Sequence, residues 1–190
     1  MAESRVAQTI EKNGHKNGNV KDVAVATLSK QGIEELITDD AVSGIYPDRK
    51  NYPFLTESVS ALGAPSWWQD GYSGNGVTIA VIDSGIDDTH AAFSDKSIQH
   101  IPVIPSNSTY VGDHGTHVAS TAAANPFPAV PQGGVAPNAS IIDVRVIRDE
   151  GYAYTSDILA GIYAAIDPNN DSMTDDAADI LSMSVGGAYA

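Results

Sequence analysis

Residues 77–82, Val-Thr-Ile-Ala-Val-Ile, form a nearly continuous apolar run that ends on Asp83-Ser84-Gly85. This is the pattern of a strand covered on both faces. Runs at 140–147 and 179–185 predict two further strands, and helical spacing at 114–124 and 157–166 predicts helices between them. Strands alternating with helices imply a parallel sheet with helices on both sides, joined by right-handed crossovers. Upstream, residues 2–13 carry Val6 and Ile10 among good helix formers, and 30–37 places Ile33, Leu36 and Ile37 on one helical face. Alternation at 20–28 and 41–46 predicts strands, so the first fifty residues read α-β-α-β. A polar, proline-containing stretch at 47–53 sets this module apart from the rest.

Charge changes at the same place. Up to Ser58 there are 7 Lys+Arg against 9 Asp+Glu, and from Val59 onward 3 against 15, together giving the net charge of -14. So few cations argue against nucleic acid or an anionic membrane surface as partner. The chain has no cysteine, so no disulfide supports the fold, and no apolar run approaches a membrane span. Residues 1–18 are too charged for the apolar core of a signal peptide, so any export signal is expected upstream of them.

Candidate chemistry lies at the end of the first buried strand and the start of the next helix. A carboxylate such as Asp83 at the end of an apolar strand needs a polar partner, because burying an unpaired charge is costly. Taken alone, Asp83 reads equally well as the cap of its own turn. About thirty residues later comes His114-Gly-Thr-His-Val-Ala. Its first histidine stands where a helix begins, with Gly115 beside it, and His117 lies one turn on. In parallel sheets, reactive groups gather at the carboxyl ends of the strands. Asp83 and the segment 184–187 both occupy such ends.

The ordered pair Val-Ile-Asp-Ser-Gly and His-Gly-Thr-His-Val-Ala resembles the signatures of the subtilisin-like serine proteases, the subtilase family. Gly134-Val135-Ala136-Pro137 matches the turn before that family's next core strand, and residues 180–187 are similar to its substrate-binding strand. The resemblance implies an Asp-His-Ser triad in which Asp83 is the aspartate, His114 the general base and His117 a helper without a proton-transfer role. It also implies that Ser184, Val185 and Gly186 pair with an extended peptide substrate. The expected fold is α/β: an incomplete parallel, doubly wound sheet of subtilisin type, preceded by a small α+β, ferredoxin-like propeptide module whose opening strand is missing. The expected divisions are a propeptide part at 1–50, a processing linker at 51–58 with cleavage between Arg49 and Ser58, and the amino-terminal part of the catalytic domain at 59–190. The partners implied are a peptide or protein substrate and the chain's own propeptide as intramolecular inhibitor. The implied location is secreted or cell-envelope.

Several features depart from the family pattern. No Gly-Thr-Ser-Met-Ala segment, which carries the family's nucleophile, occurs in the 190 residues. The chain by itself is therefore expected to be inactive. Ser120 stands where the family usually has glycine. Ala91 and Ala92 replace a Pro-Asp pair whose aspartate helps bind calcium. The chemistry needs no cofactor, but calcium is open as a structural ion at Asp167, Asp171 and Asp175, where alternating oxygen ligands occur. An Asx-rich turn is the alternative there. Two other functional readings remain: a truncated, inactive copy, and a zinc hydrolase using His114, His117 and Asp113 or Asp83. No Glu general base stands between those histidines.

Overall fold

The computed structural model describes residues 2–53, 62–104, 112–128 and 133–187. The chain divides after Arg49 into two compact units.

The first unit contains helix α1 (Ala2–Asn13), strands β1 (Gly14–Val20) and β2 (Val23–Leu28), and helix α2 (Lys30–Leu36). β1 and β2 pair antiparallel around a turn in which Lys21 adopts a left-handed conformation, φ 51°. α2 starts on Ser29, whose hydroxyl accepts from the Gly32 N–H at 3.1 Å and satisfies one of the helix's free donors. The order is thus α-β-β-α, where α-β-α-β was expected. β1 is almost wholly polar, His-Lys-Asn-Gly-Asn, and gives no alternating signal. The strand expected at 41–46 does not form: the Val42 N–H bonds the Asp39 carbonyl in a turn, and Tyr46 is exposed. Gly44 interrupts that short pattern, and among the described residues no strand pairs with it. Of the three apolar residues expected on one face of α2, only Leu36 is buried; Ile33 and Ile37 are exposed. The described part of this unit therefore holds two strands and does not form a ferredoxin-like sheet.

The second unit is built on a four-stranded parallel sheet of β4 (Thr78–Asp83), β5 (Ile98–Pro102), β6 (Ser140–Arg145) and β8 (Ile180–Ser182), in the order β5-β6-β4-β8. Helix α4 (Asp113–Ala123) covers one face and α5 (Thr155–Ile166) the other. Side chains alternate between the faces along each strand. Ile79, Val81 and Ile141 pack with Val118 and Ala119 of α4, while Ala80, Ile82, Ile142 and Val144 pack with Ala165 of α5. Each such fully buried Val or Ile contributes about 1.5–3 kcal/mol. The register pairs Asp83 with Arg145, and the carbonyl of Asp83 accepts from the N–H groups of Val146 (2.8 Å) and Ile147 (3.1 Å). The end of β4 is held firmly in place. No described helix is long and apolar enough to cross a membrane.

Three smaller pieces complete the unit. Helix α3 (Ala64–Gln69) begins with Pro65 in its first turn. The run expected as one strand at 179–185 is broken at Met183 and Ser184, leaving β8 and a two-residue strand β9 (Val185–Gly186). Strand β3 (Lys50–Pro53) lies between β9 and β7 (Ala153–Tyr154), antiparallel to both. Residues 50–53, expected as connector, are therefore a central strand of a second sheet. Residues 54–58, the rest of the expected processing linker, lie outside the described residues.

Candidate active site

The period of two along β4 that points Ile79 and Val81 toward α4 also points Asp83 toward the start of that helix. There the Asp83 carboxylate, with no exposed surface, stands 2.8 Å (Oδ1) and 2.9 Å (Oδ2) from Nδ1 of His114. Oδ1 also accepts from the Ser84 N–H at 2.7 Å. Opposite an ionised acceptor, Nδ1 carries the proton and the lone pair is left on Nε2. The His114 side chain keeps 15% of its surface exposed, so this imidazole is mostly enclosed, reaches solvent in part and is oriented by a buried carboxylate.

The loop after β4 sets this geometry. Gly85 takes φ 100°, a left-handed conformation open to glycine at little cost, and turns the chain back along the first turn of α4. Ser84 then receives two bonds from the helix start, its carbonyl from the Gly112 N–H (3.3 Å) and its hydroxyl from the Gly115 N–H (2.9 Å). The Asp87 N–H donates to the Thr116 hydroxyl at 2.9 Å. At the far end of α4, Gly134, Val135 and Ala136 donate to the carbonyls of Ala124, Thr121 and Ala122, capping a helix terminus that would otherwise be unsatisfied. His117 is exposed on α4. Among the described residues, no three His, Asp or Glu side chains stand where they could share a metal ion, so the zinc ligand set of the sequence reading is not assembled.

Ser184, Val185 and Gly186 lie at and beside β9, whose partner is β3: Tyr52 pairs with Gly186 and Pro53 with Val185. Asp167, Asp171 and Asp175 do not converge on a common point. Asp167 is buried and its two oxygens accept from the N–H groups of Asp171 and Ser172 (both 3.0 Å), Asp171 accepts from Met173 N–H and the Asn169 side chain, and Asp175 is exposed. The Asp171 bond to Met173 is an Asx-turn bond, the Asp167 bonds reach four and five residues on, and both carboxylates are already engaged.

A second carboxylate–imidazole pair escaped the sequence reading. Asp143, buried on β6, has Oδ2 2.8 Å from His100 Nδ1, and His100 Nε2 lies 3.2 Å from Asp88. The Ile86 N–H also donates to Asp143 at 3.2 Å. An acid inside the run Ser-Ile-Ile-Asp-Val-Arg was the available signal, but its partner lies 43 residues away. Both ring nitrogens face carboxylates, an arrangement that only the doubly protonated imidazolium satisfies. Desolvation lowers the pKa of His100, but bonding and charge from Asp143, then Asp88, outweigh it and hold it above the ordinary 6.5. Its contribution to stability is therefore fully present below about pH 6.5 and is lost as pH rises through the raised folded-state value. Burial pushes the Asp143 carboxyl up against the pull of His100, Ile86 and Arg145. Denaturant midpoints measured from neutral to alkaline pH are expected to fall with rising pH. In His100→Gln that slope should flatten.

A buried carboxylate holding a mostly enclosed imidazole, at the carboxyl edge of a parallel sheet, defines an α/β protein with a paired acid and base at the end of a core strand. Comparison with known proteins supplies the family. Residues 74–190 match the Subtilase family, and the chain belongs to it. It is 34% identical over 187 residues to subtilisin E of Bacillus subtilis, covering 93% of this chain and 46% of that protein. It is 29% identical over 172 residues to the subtilisin-like serine protease Pen ch 13 of Penicillium rubens, covering 90% and 41%. The chain thus spans less than half the length of these relatives. Among solved structures, fervidolysin from Fervidobacterium pennivorans, a keratinolytic enzyme related to subtilisin, matches with a TM-score of 0.69 at 22% identity, over 100% of this chain and 35% of that one. That likeness concerns the fold.

Proposed function

We propose that the chain is part of a secreted serine endopeptidase, supplying two members of an Asp-His-Ser triad and one wall of the peptide-binding cleft. The observation that carries this reading is the contact between His114 Nδ1 and the buried Asp83 carboxylate. In this reading His114 Nε2 takes the proton of a serine hydroxyl as it attacks the peptide carbonyl, then returns it to the leaving amine. Asp83 holds the tautomer and steadies the imidazolium. The serine is assigned to sequence outside these 190 residues, which lack the family's Gly-Thr-Ser-Met-Ala segment. The 190-residue chain alone is accordingly inactive.

Ser184, Val185 and Gly186 bind substrate backbone in the manner of strand addition. Support comes from β3, which already adds the chain's own residues 50–53 between β7 and β9. Residues 1–49 with this strand act as an inhibitory propeptide, and the bond processed lies beyond Pro53. A secreted location is in keeping with the name of one relative, the minor extracellular protease Vpr of Bacillus subtilis, 29% identical over 185 residues. No calcium is assigned to Asp167, Asp171 and Asp175, whose turn is closed by its own bonds. Calcium is expected to leave the unfolding midpoint of the chain unchanged, and a clear upward shift would contradict that assignment.

The test of the whole reading uses the longer protein that includes the nucleophile segment. A serine-directed phosphonylating reagent should abolish its peptide hydrolysis while a zinc chelator leaves it intact. The reverse pattern would overturn the assignment.

A further inference from the structure

In the strand between β7 and β9, the described side chain of Lys50 meets a built surface. The ammonium of Lys50 lies 3.9 Å from the centre of the Tyr152 ring, inside the range in which a cation is attracted to an aromatic face. Tyr152 is itself supported. Its ring packs edge to face on Tyr154 with centroids 5.3 Å apart and an interplanar angle of 82°. Tyr154 lies beneath the Arg148 guanidinium, 5.4 Å from its ring centre, and that guanidinium is held by both oxygens of Asp157 at 2.8 and 2.9 Å. Asp157 also accepts from the Tyr154 N–H at 3.0 Å, tying the pair of rings to the first turn of α5. The register places Lys50 opposite Tyr154 and Asn51 opposite Ala153.

The partners belong to two different parties. Lys50 sits on the strand that occupies the cleft, whereas Tyr152, Tyr154, Arg148 and Asp157 belong to the wall that receives it. A bond between occupant and wall, made by a side chain, selects among occupants; the backbone ladder alone does not. Charge acts in the same direction, since from Val59 onward the chain carries 3 Lys+Arg against 15 Asp+Glu, and such a field attracts cationic peptides.

We propose that Tyr152 is a specificity-determining residue: its ring face receives a lysine or arginine side chain three positions before the peptide residue that pairs with Val185. This assignment rests on the reading that the gap between β7 and β9 is the peptide seat. It is specific to one peptide position, to positive charge and to one ring.

Amide hydrogen exchange by NMR on the 190-residue chain tests it, with opening at equilibrium so that protection reports the stability of the seated strand. The amides of β3 and its partner strands are expected to be protected, and Tyr152→Ala or Lys50→Ala to lower that protection about two- to five-fold, the worth of one exposed cation–aromatic contact. The double variant should lose no more than either single one. Lys50→Arg should retain protection and Lys50→Glu should not. The amides of β4 and β6 should be unaffected throughout, showing that the fold is intact. Protection unchanged in both single variants, or losses that simply add, would overturn the assignment while leaving the peptide seat standing. Unprotected β3 amides in the unaltered chain would overturn the seat itself, and the assignment with it.

Discussion

Replacing Asp83 by Asn is expected to leave the fold in place and to lower peptide hydrolysis by the longer protein on the order of 10^4-fold, the size known for this change in such triads. The shapes of the two side chains are alike, and the Ser84 N–H, 2.7 Å from Oδ1, keeps an oxygen to donate to. What changes is the sense of the bond to His114. An amide nitrogen turned toward Nδ1 donates where the carboxylate accepted, so the ring proton moves to Nε2. The nitrogen that should take the proton of the nucleophile is then already protonated, and the imidazolium formed during reaction loses its counter-charge. Comparing kcat/KM of the two proteins, with circular dichroism as the check on folding, measures the effect. A loss of only a few-fold would mean that Asp83 is a structural cap.

Gly115→Ala is expected to destabilise the chain by about 1–3 kcal/mol, the usual cost of overpacking, and to reduce hydrolysis by the longer protein on the order of 10^2-fold. A methyl group here would stand inside contact distance of the Gly85 carbonyl oxygen and 3.1 Å from both the Gly85 nitrogen and the Ser84 hydroxyl. The nearest obstacle is backbone, so no rotamer change relieves it. The first turn of α4 must move away from the loop, and His114 moves with it. A displacement of about 1 Å at a reacting group is enough to cost two orders of magnitude in rate. Urea unfolding of the chain and kcat/KM of the longer protein check the two halves separately. An unchanged urea midpoint would show that the loop after β4 is more yielding than its hydrogen bonds to Ser84 and Thr116 imply.

Legibility in the sequence followed the range of the forces involved. β4 and α4 were each expected to within one residue, because β4 is buried with core on either side and α4 presents one apolar face to the sheet. Their meeting at Asp83 and His114 was legible for the same reason: the strand end and the helix start fix where each side chain emerges. Edge and short strands were not legible. β5, Ile-Gln-His-Ile-Pro, covers only one side of β6 and leaves Gln99, His100 and Pro102 exposed, so its sequence keeps little of a strand pattern. β1 is polar, and β7 and β9 are two residues long, so their pairing is determined by neighbours far along the chain. The opposite error at 41–46 has the same origin. A weak alternation there finds no partner strand among the described residues, and without a partner it does not extend. Asp143 was overlooked because its justification, His100, lies on a strand that was itself missed.

The bond from His114 Nδ1–H to Asp83 underlies every functional statement made for this chain, and it is directly observable by NMR in the 190-residue protein with 15N-labelled histidine. A slowly exchanging, strongly downfield proton attached to Nδ1 of His114 is expected, present in the unaltered chain and absent in Asp83→Asn. If no such proton is found, or if it persists unchanged in Asp83→Asn, the carboxylate does not orient the imidazole and the catalytic account is contradicted.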